Sequence, residues 1–165
     1  MRLIKVIAGG AMVVLLVILL TRPHPSARKA AEFYQKAADQ GNAVAQNNLG
    51  WLHETGEGVS KDLGKATELF QKAADQGYAD AQNNLGRLYA TGQGVSKDSG
   101  KAAELFQKAA DQGNAVAQRN LGLLYATGQG VPKDSGKAVE LFQKAADQGD
   151  QFATTILKRL SGEND

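Results

Sequence analysis

One ten-residue segment returns three times at a fixed spacing. Residues 41–50 read GNAVAQNNLG, residues 77–86 read GYADAQNNLG and residues 113–122 read GNAVAQRNLG, each copy starting 36 residues after the last. A period in the range of about 20–50 residues marks a solenoid of stacked supersecondary units, each burying its apolar face only against its neighbours. Such arrays are surfaces for holding other molecules rather than pockets for chemistry.

One unit, residues 77–112, carries two helical patterns separated by a Gly-rich loop. The first, helix A, is expected over about 79–91. Ala81, Leu85, Leu88 and Tyr89 fall at i, i+4, i+7 and i+8, one face of a helix of period 3.6. Gly92 is its expected left-handed stop. The second, helix B, is expected over about 99–112. Asp98 precedes it as N-cap, Ala102, Leu105, Phe106, Ala109 and Ala110 form its apolar stripe, and Gly113 ends it.

The register holds across copies. The cap is Asp62, Asp98 and Asp134, with Ser26 one period earlier, and the helix B aromatic is Phe70, Phe106 and Phe142. Small residues recur at Gly50, Gly86 and Gly122 on helix A and at Ala66, Ala102 and Ala138 on helix B. A mid-helix Gly costs about 1 kcal/mol against Ala, so its return at one place implies close helix packing.

The ends are partial copies. Residues 26–40 match helix B alone, and residues 150–160 match helix A loosely, with Ala153 and Leu157 in register and Lys158 at the glycine position. The expected layout is therefore an N-terminal apolar segment (1–21) and a repeat domain (22–160). The domain holds a half repeat 26–40, repeats 41–76, 77–112 and 113–148, and a capping helix 150–160; a frayed tail follows at 161–165.

Ala81, Leu85–Gly86, Leu88–Tyr89, Gly92, Gly94–Val95, Lys97–Asp98 and Lys101–Ala102 fill the pattern A-x-x-x-L-G-x-L-Y-x-x-G-x-G-V-x-K-D-x-x-K-A. This resembles the Sel1-like repeat family, a subset of the tetratricopeptide-like helical solenoids. The resemblance covers nearly all of residues 26–160, and His53 departs from it where the other copies have Tyr89 and Tyr125. It implies an all-α, right-handed superhelix of antiparallel helix pairs and an interaction scaffold, and names no partner.

Removing Arg2 and Lys5 from the 19 basic residues leaves 17 against 17 acidic, so the repeat region is neutral. No nucleic-acid binding is expected, because that affinity rests on Lys and Arg against phosphate. The chain has no Cys. That excludes disulfides, thiol catalysis, thiolate metal sites and the lipid modification that requires a Cys after an apolar stretch.

The run from Val6 to Leu20 is uncharged and apolar and follows Arg2 and Lys5. Fifteen helical residues span about 22 Å, short of a hydrocarbon core of about 30 Å; including Leu3 and Ile4 gives about 27 Å, with Lys5 snorkelling. Signal peptidase wants small residues at −3 and −1, and the pairs Leu19/Thr21, His24/Ser26 and Pro25/Ala27 all fail. The expectation is an uncleaved single-pass membrane anchor with the repeats on the exported side; the alternative is secretion after cleavage.

The motifs that suggest chemistry have simpler explanations. Ser26 to Lys29 matches S-x-x-K of penicillin-recognising enzymes, without S-D-N or K-T-G companions, and Ser26 is in register with the caps. The loop 92–101 resembles a phosphate loop, but Val95 and Ala102 stand where Gly and Ser or Thr are needed. His24 lies between two prolines, and His53 reads as a packed aromatic substitute. The column Lys65, Lys101 and Lys137 reads as a solvated ridge. No catalytic residue, cofactor or metal site is expected.

The copies differ on helix A opposite the face set by Ala45, Leu49 and Leu52. Those positions are Val44, Asn47, Trp51 and Glu54, then Asp80, Asn83, Arg87 and Ala90, then Val116, Arg119, Leu123 and Ala126. The family resemblance puts helix A on the concave surface. Trp51, Arg87 and Leu123 would then form a column of types that include the hot-spot residues Trp and Arg. Trp51 could instead pack on a neighbouring repeat as core. The leading expectation is a membrane-tethered scaffold holding a protein or peptide in this groove. The alternatives are an envelope enzyme or enzyme-modifying factor acting on peptidoglycan or β-lactams, and a structural spacer.

Overall fold

The computed structural model describes residues 25–162. Among them eight α-helices follow one another: α1 (Pro25–Asp39), α2 (Ala43–Thr55), α3 (Leu63–Asp75), α4 (Ala79–Thr91), α5 (Ser99–Asp111), α6 (Ala115–Thr127), α7 (Ser135–Asp147) and α8 (Gln151–Ser161). The described residues contain no strand. Helices α2, α4, α6 and α8 are of type A, and α1, α3, α5 and α7 of type B. Each helix packs on its sequence neighbours, which makes a solenoid of helix pairs. None of the described helices is long and apolar enough to cross a membrane. The apolar run 6–20, His24 and the last three residues lie outside the described part.

Local chemistry sets the boundaries. Each B helix inside the array starts at an Asp whose Oδ1 accepts a backbone N–H: from Lys65 to Asp62, from Lys101 to Asp98 and from Lys137 to Asp134. Helix A starts on Asn42 and Asn114 in the same way, but Tyr78 makes no side-chain cap bond. Gly56, Gly92 and Gly128 end the A helices in the left-handed conformation, as the sequence led us to expect. Three boundaries differ from expectation. Helix α1 starts at Pro25, whose fixed φ suits a first helical residue, so Ser26 lies inside the first turn rather than before it. Helix α5 ends at Asp111, and Gln112 is its cap. Ser161 belongs to α8, which Gly162 closes, so these two residues are not part of a frayed tail.

The glycines of helix A sit where the two helices of a pair meet most closely. A Cβ on Gly86 would lie 2.8 Å from Cε1 of Phe106, and on Gly50 2.9 Å from Cε1 of Phe70. Phe70, Phe106 and Phe142 are buried in this contact, together with Ala66, Ala102 and Ala138. The loop supplies a second close approach, between repeats. Gly94 has φ +72°, and a Cβ there would lie 2.6 Å from the Leu63 carbonyl oxygen, so the loop of one repeat rests on the first turn of the preceding B helix. Val59, Val95 and Val131 of the same loops pack against the core, as the loop reading required.

Polar links repeat with the same period. Gln82, buried on α4, donates Nε2 to the Ala74 carbonyl at the end of α3 and accepts from Gln112 Nε2 at the end of α5, at 3.4 and 2.8 Å. Gln46 and Gln118 do the same in their repeats. Each glutamine thus ties three helices across two repeats and gives a helix-end carbonyl a second donor besides the backbone N–H of the glycine that follows the helix.

Adding one methyl group distinguishes these roles. Gly86→Ala forces the Phe106 ring to move and should destabilise the array by about 1–3 kcal/mol. Gly100→Ala meets only Asp98 Oδ1, at 3.4 Å, and should be neutral or stabilising by up to about 1 kcal/mol. Urea titration of both variants measures this; equal midpoints would remove the close-packing explanation.

Candidate protein-interaction face

Successive A helices lie side by side, joined by side chains rather than by backbone. Asn84 Nδ2 donates to Asn47 Oδ1, and Asn120 Nδ2 to Asn83 Oδ1, both at 3.0 Å. Arg87 pairs with Glu54 at 2.6 Å, and Asn114 Nδ2 donates to Asp80 Oδ1 at 2.7 Å. These bonds join α2, α4 and α6 into one face, which the pair Arg119–Asp150 extends to α8.

The face is not the one drawn from the helical wheel alone. Asn47 and Asn83 are buried in the seams between neighbouring A helices. The wheel treats a helix as packed on one side. Here each A helix also has the next A helix along its flank, which widens the buried arc. The strip that stays open is centred on Val44 and Trp51. Trp51 is 47% exposed and Val44 48%, so the alternative of Trp51 as extra core does not hold. Val116, one register on from Asp80, is also exposed, and so is Phe152 on α8 in the same register.

The other expected site residues do different work. Leu123, Tyr125 and Ala126 pack against the core around Phe142 and Ala153, and Ala90 packs against the core around Phe106. Leu123 is therefore a half-buried packing residue, not an open position beside Trp51. Arg119 donates Nη1 to Asp150 Oδ2 at 2.7 Å and lies 5.5 Å from the Phe152 ring centre. Asp150 uses its other oxygen to cap α8, so Arg119 and Asp150 together fasten the terminal helix. The sequence reading placed Arg119 in the groove and did not pair it with Asp150. Reading the two as joint departures from the repeat, Arg for Asn83 and Asp for Asn114, would have found this pair.

Most charges on this face are engaged within it. Arg87 is held by Glu54, Arg119 by Asp150, and Asp80 by Asn114 and by the Tyr78 hydroxyl at 3.1 Å. Burial first, and the Asp80 carboxylate second, push the Tyr78 hydroxyl above its ordinary pKa, which keeps it a neutral donor. The open side chains of the strip are apolar, apart from the exposed Arg159 on α8 in the register of Trp51.

The remaining candidates are structural. His53 is buried with Nδ1 3.2 Å from the Ser60 carbonyl, a packed substitute for tyrosine. Where tyrosine is present, the lysine column leans on it: Lys101 Nζ lies 4.4 Å from the Tyr89 ring centre and Lys137 Nζ 5.2 Å from that of Tyr125. The lysines are thus exposed but not simply solvated. Among the described residues no three His, Cys, Asp or Glu side chains are grouped to hold a metal ion.

Two polar links of similar appearance should differ in cost. Gln82→Ala removes both hydrogen bonds of a buried side chain, to the Ala74 carbonyl and from Gln112 Nε2, and should destabilise by about 1–3 kcal/mol. Arg87→Ala removes a half-exposed ion pair and should cost less than about 1 kcal/mol. Thermal melts would show this; a Gln82→Ala melt superimposed on wild type would mean that the glutamine ladder contributes nothing.

The Sel1 repeat model matches residues 23–42, 43–78, 79–114 and 115–150, four consecutive units. No curated protein matches the sequence. Among solved structures, a Sel1 repeat protein from Oxalobacter formigenes is 41% identical with a TM-score of 0.76, over 81% of this chain and 54% of that one. A protective antigen of uropathogenic Escherichia coli with the SLR fold is 39% identical with a TM-score of 0.72, over 74% of this chain and 26% of the other. The Helicobacter pylori cysteine-rich protein B is 28% identical with a TM-score of 0.63, over 80% of this chain and 95% of that one. This chain thus spans about half of the first of these proteins and about a quarter of the second. Sel1 repeats generally mediate protein–protein interactions, and their scaffolds are typically non-enzymatic. With four tandem matches and the helix-pair solenoid in place, the chain belongs to the Sel1 repeat family.

Proposed function

We propose that this protein is a membrane-tethered interaction scaffold whose helix A face holds a protein or peptide by apolar anchors. The observation that carries the reading is the set Val44, Trp51, Val116 and Phe152, exposed on a face where Arg87 and Arg119 are held by Glu54 and Asp150. A bare spacer has no use for such a strip, and exposed aromatics are the side chains most often found at the centre of interfaces. The partner offers apolar side chains rather than a charged motif, because few unpaired charges are left to read one. The apolar run from Val6 to Leu20 is the tether, and the repeats stand on the exported side. Supporting this are the positive residues ahead of the run and the missing small-residue cleavage site.

Trp51 is the only tryptophan, so its fluorescence reports binding directly. Peptides selected from a displayed library against the full chain should shift its emission. Trp51→Ala and Phe152→Ala should each weaken such a peptide by about 30-fold, the effect of losing roughly 2 kcal/mol at a hot spot. Stability should move by less than about 0.5 kcal/mol. Raising the salt should weaken binding only modestly, because Arg87 and Arg119 are already paired within the face. Selected peptides that bind both variants as tightly as wild type would contradict the assignment.

The tether has its own test. The native protein should fractionate with membranes and show the intact mass of the full chain. A mature species beginning between Thr21 and Ala31 would establish cleavage instead.

A further inference from the structure

The two edges of the solenoid, where the helices begin and end, carry opposite charge. One edge is made by the loops that lead from A to B helices and by the first turns of the B helices. Lys61, Lys97 and Lys133 stand in these loops, and Lys65, Lys101 and Lys137 in the first turns that follow, all exposed. Helix α1 starts on the same edge, because the loop at Gly58 rests on Ala27 as the loop at Gly94 rests on Leu63. It adds Arg28 and Lys29, also exposed. Eight cations thus stand there against four acids, Glu57 and the capping Asp62, Asp98 and Asp134. Among the described residues none of the eight is in an ion pair. Lys101 and Lys137 lean on tyrosine rings, which leaves their charge in place. The opposite edge is the reverse. Every B helix ends on an aspartate, and Asp80 and Asp150 lie at the starts of A helices, against four lysines in the last turns of the B helices.

The connection to the apolar run selects between these edges. Five peptide units separate Leu20 from Pro25, so in any conformation the start of α1 lies within about 18 Å of the end of the run. A tether at Val6 to Leu20 therefore brings the basic edge to the membrane and not the acidic one. Anionic headgroups attract lysines held near the surface, over a Debye length of about 8–10 Å. We propose, resting on the reading of that run as a tether, that the loop edge lies on anionic phospholipid, with Lys61, Lys97 and Lys133 against headgroup phosphates. In that pose the helices stand on their ends and the acidic edge is farthest from the lipid. The strip of Val44, Trp51, Val116 and Phe152 then faces sideways, open to a partner.

The chain has no Cys, so a single introduced one carries a fluorophore at a chosen place. Gln93→Cys labels the loop edge and Gln40→Cys the opposite edge, both at exposed positions. The full chain is reconstituted in vesicles of phosphatidylcholine, alone or mixed with phosphatidylglycerol, that contain an acceptor-labelled lipid. Energy transfer from position 93 should rise at least about twofold when phosphatidylglycerol is present, and transfer from position 40 should not. High salt should reverse the rise. The triple variant Lys61→Gln, Lys97→Gln and Lys133→Gln, changed only at exposed loop positions, should show the same transfer on both lipids. Equal transfer from position 93 of the otherwise wild-type chain on both lipids overturns the proposal. So does a rise that persists in high salt or in the triple variant, or an equal rise from position 40. Flotation with pure phosphatidylcholine vesicles reports the tether separately. A chain left behind there contradicts the tether alone, and the lysine edge is then judged by whether phosphatidylglycerol vesicles carry wild type and not the triple variant.

Discussion

The contact between the helix A glycine and the helix B phenylalanine organises the molecule. Gly50, Gly86 and Gly122 leave room for the rings of Phe70, Phe106 and Phe142, and no side chain fits between them. That contact sets how close the two helices of a pair lie. Closeness brings Ala66, Ala102 and Ala138 into full burial and lets the loop reach back to the preceding B helix. The mid-helix glycine weakens the isolated helix by about 1 kcal/mol, and burial of a whole phenylalanine ring, of the order of 1.5–3 kcal/mol, outweighs it.

A repeated contact of this kind produces an array but no site. Function then depends on what the repeats do not share. Trp51, Arg87 and Leu123 occupy equivalent positions and have three different fates: exposed, ion-paired and half-buried against the terminal core. Likewise Asp80 binds Asn114 and Tyr78, while its counterparts Val44, Val116 and Phe152 are open. The shared register builds the frame, and the departures from it leave an apolar strip beside the ion pairs of Arg87 and Arg119. The family itself joins this frame to protein interaction, and the strip is the place we propose for that role on this chain.

Most of the frame was legible from the sequence because each of its parts is local. The Asp caps, the left-handed glycines, the alternation of two helices and the exact span of α4 all follow from residues within one unit. The contacts between units were less legible. Asn47 and Asn83 looked open because a helical wheel contains no neighbouring helix. Arg119 looked like a groove residue because its partner, Asp150, lies 31 positions away. The tyrosine–lysine contacts and the glutamine ladder are likewise set by how repeats stack, which one unit's pattern does not contain. Ser26 was misplaced by one turn position because Pro25 can itself begin a helix.

The central claim is that partners meet the A helices along the Val44, Trp51, Val116 and Phe152 strip. Photo-crosslinking residues placed singly at Trp51 and Phe152, and for comparison at the exposed Glu68 and Lys108 of the B helices, test it directly in membranes. We expect the two strip positions to yield adducts of the same mass, and the B-helix positions to yield none of that mass. Adducts formed only from Glu68 or Lys108 would contradict the account and move the interaction to the opposite side of the solenoid.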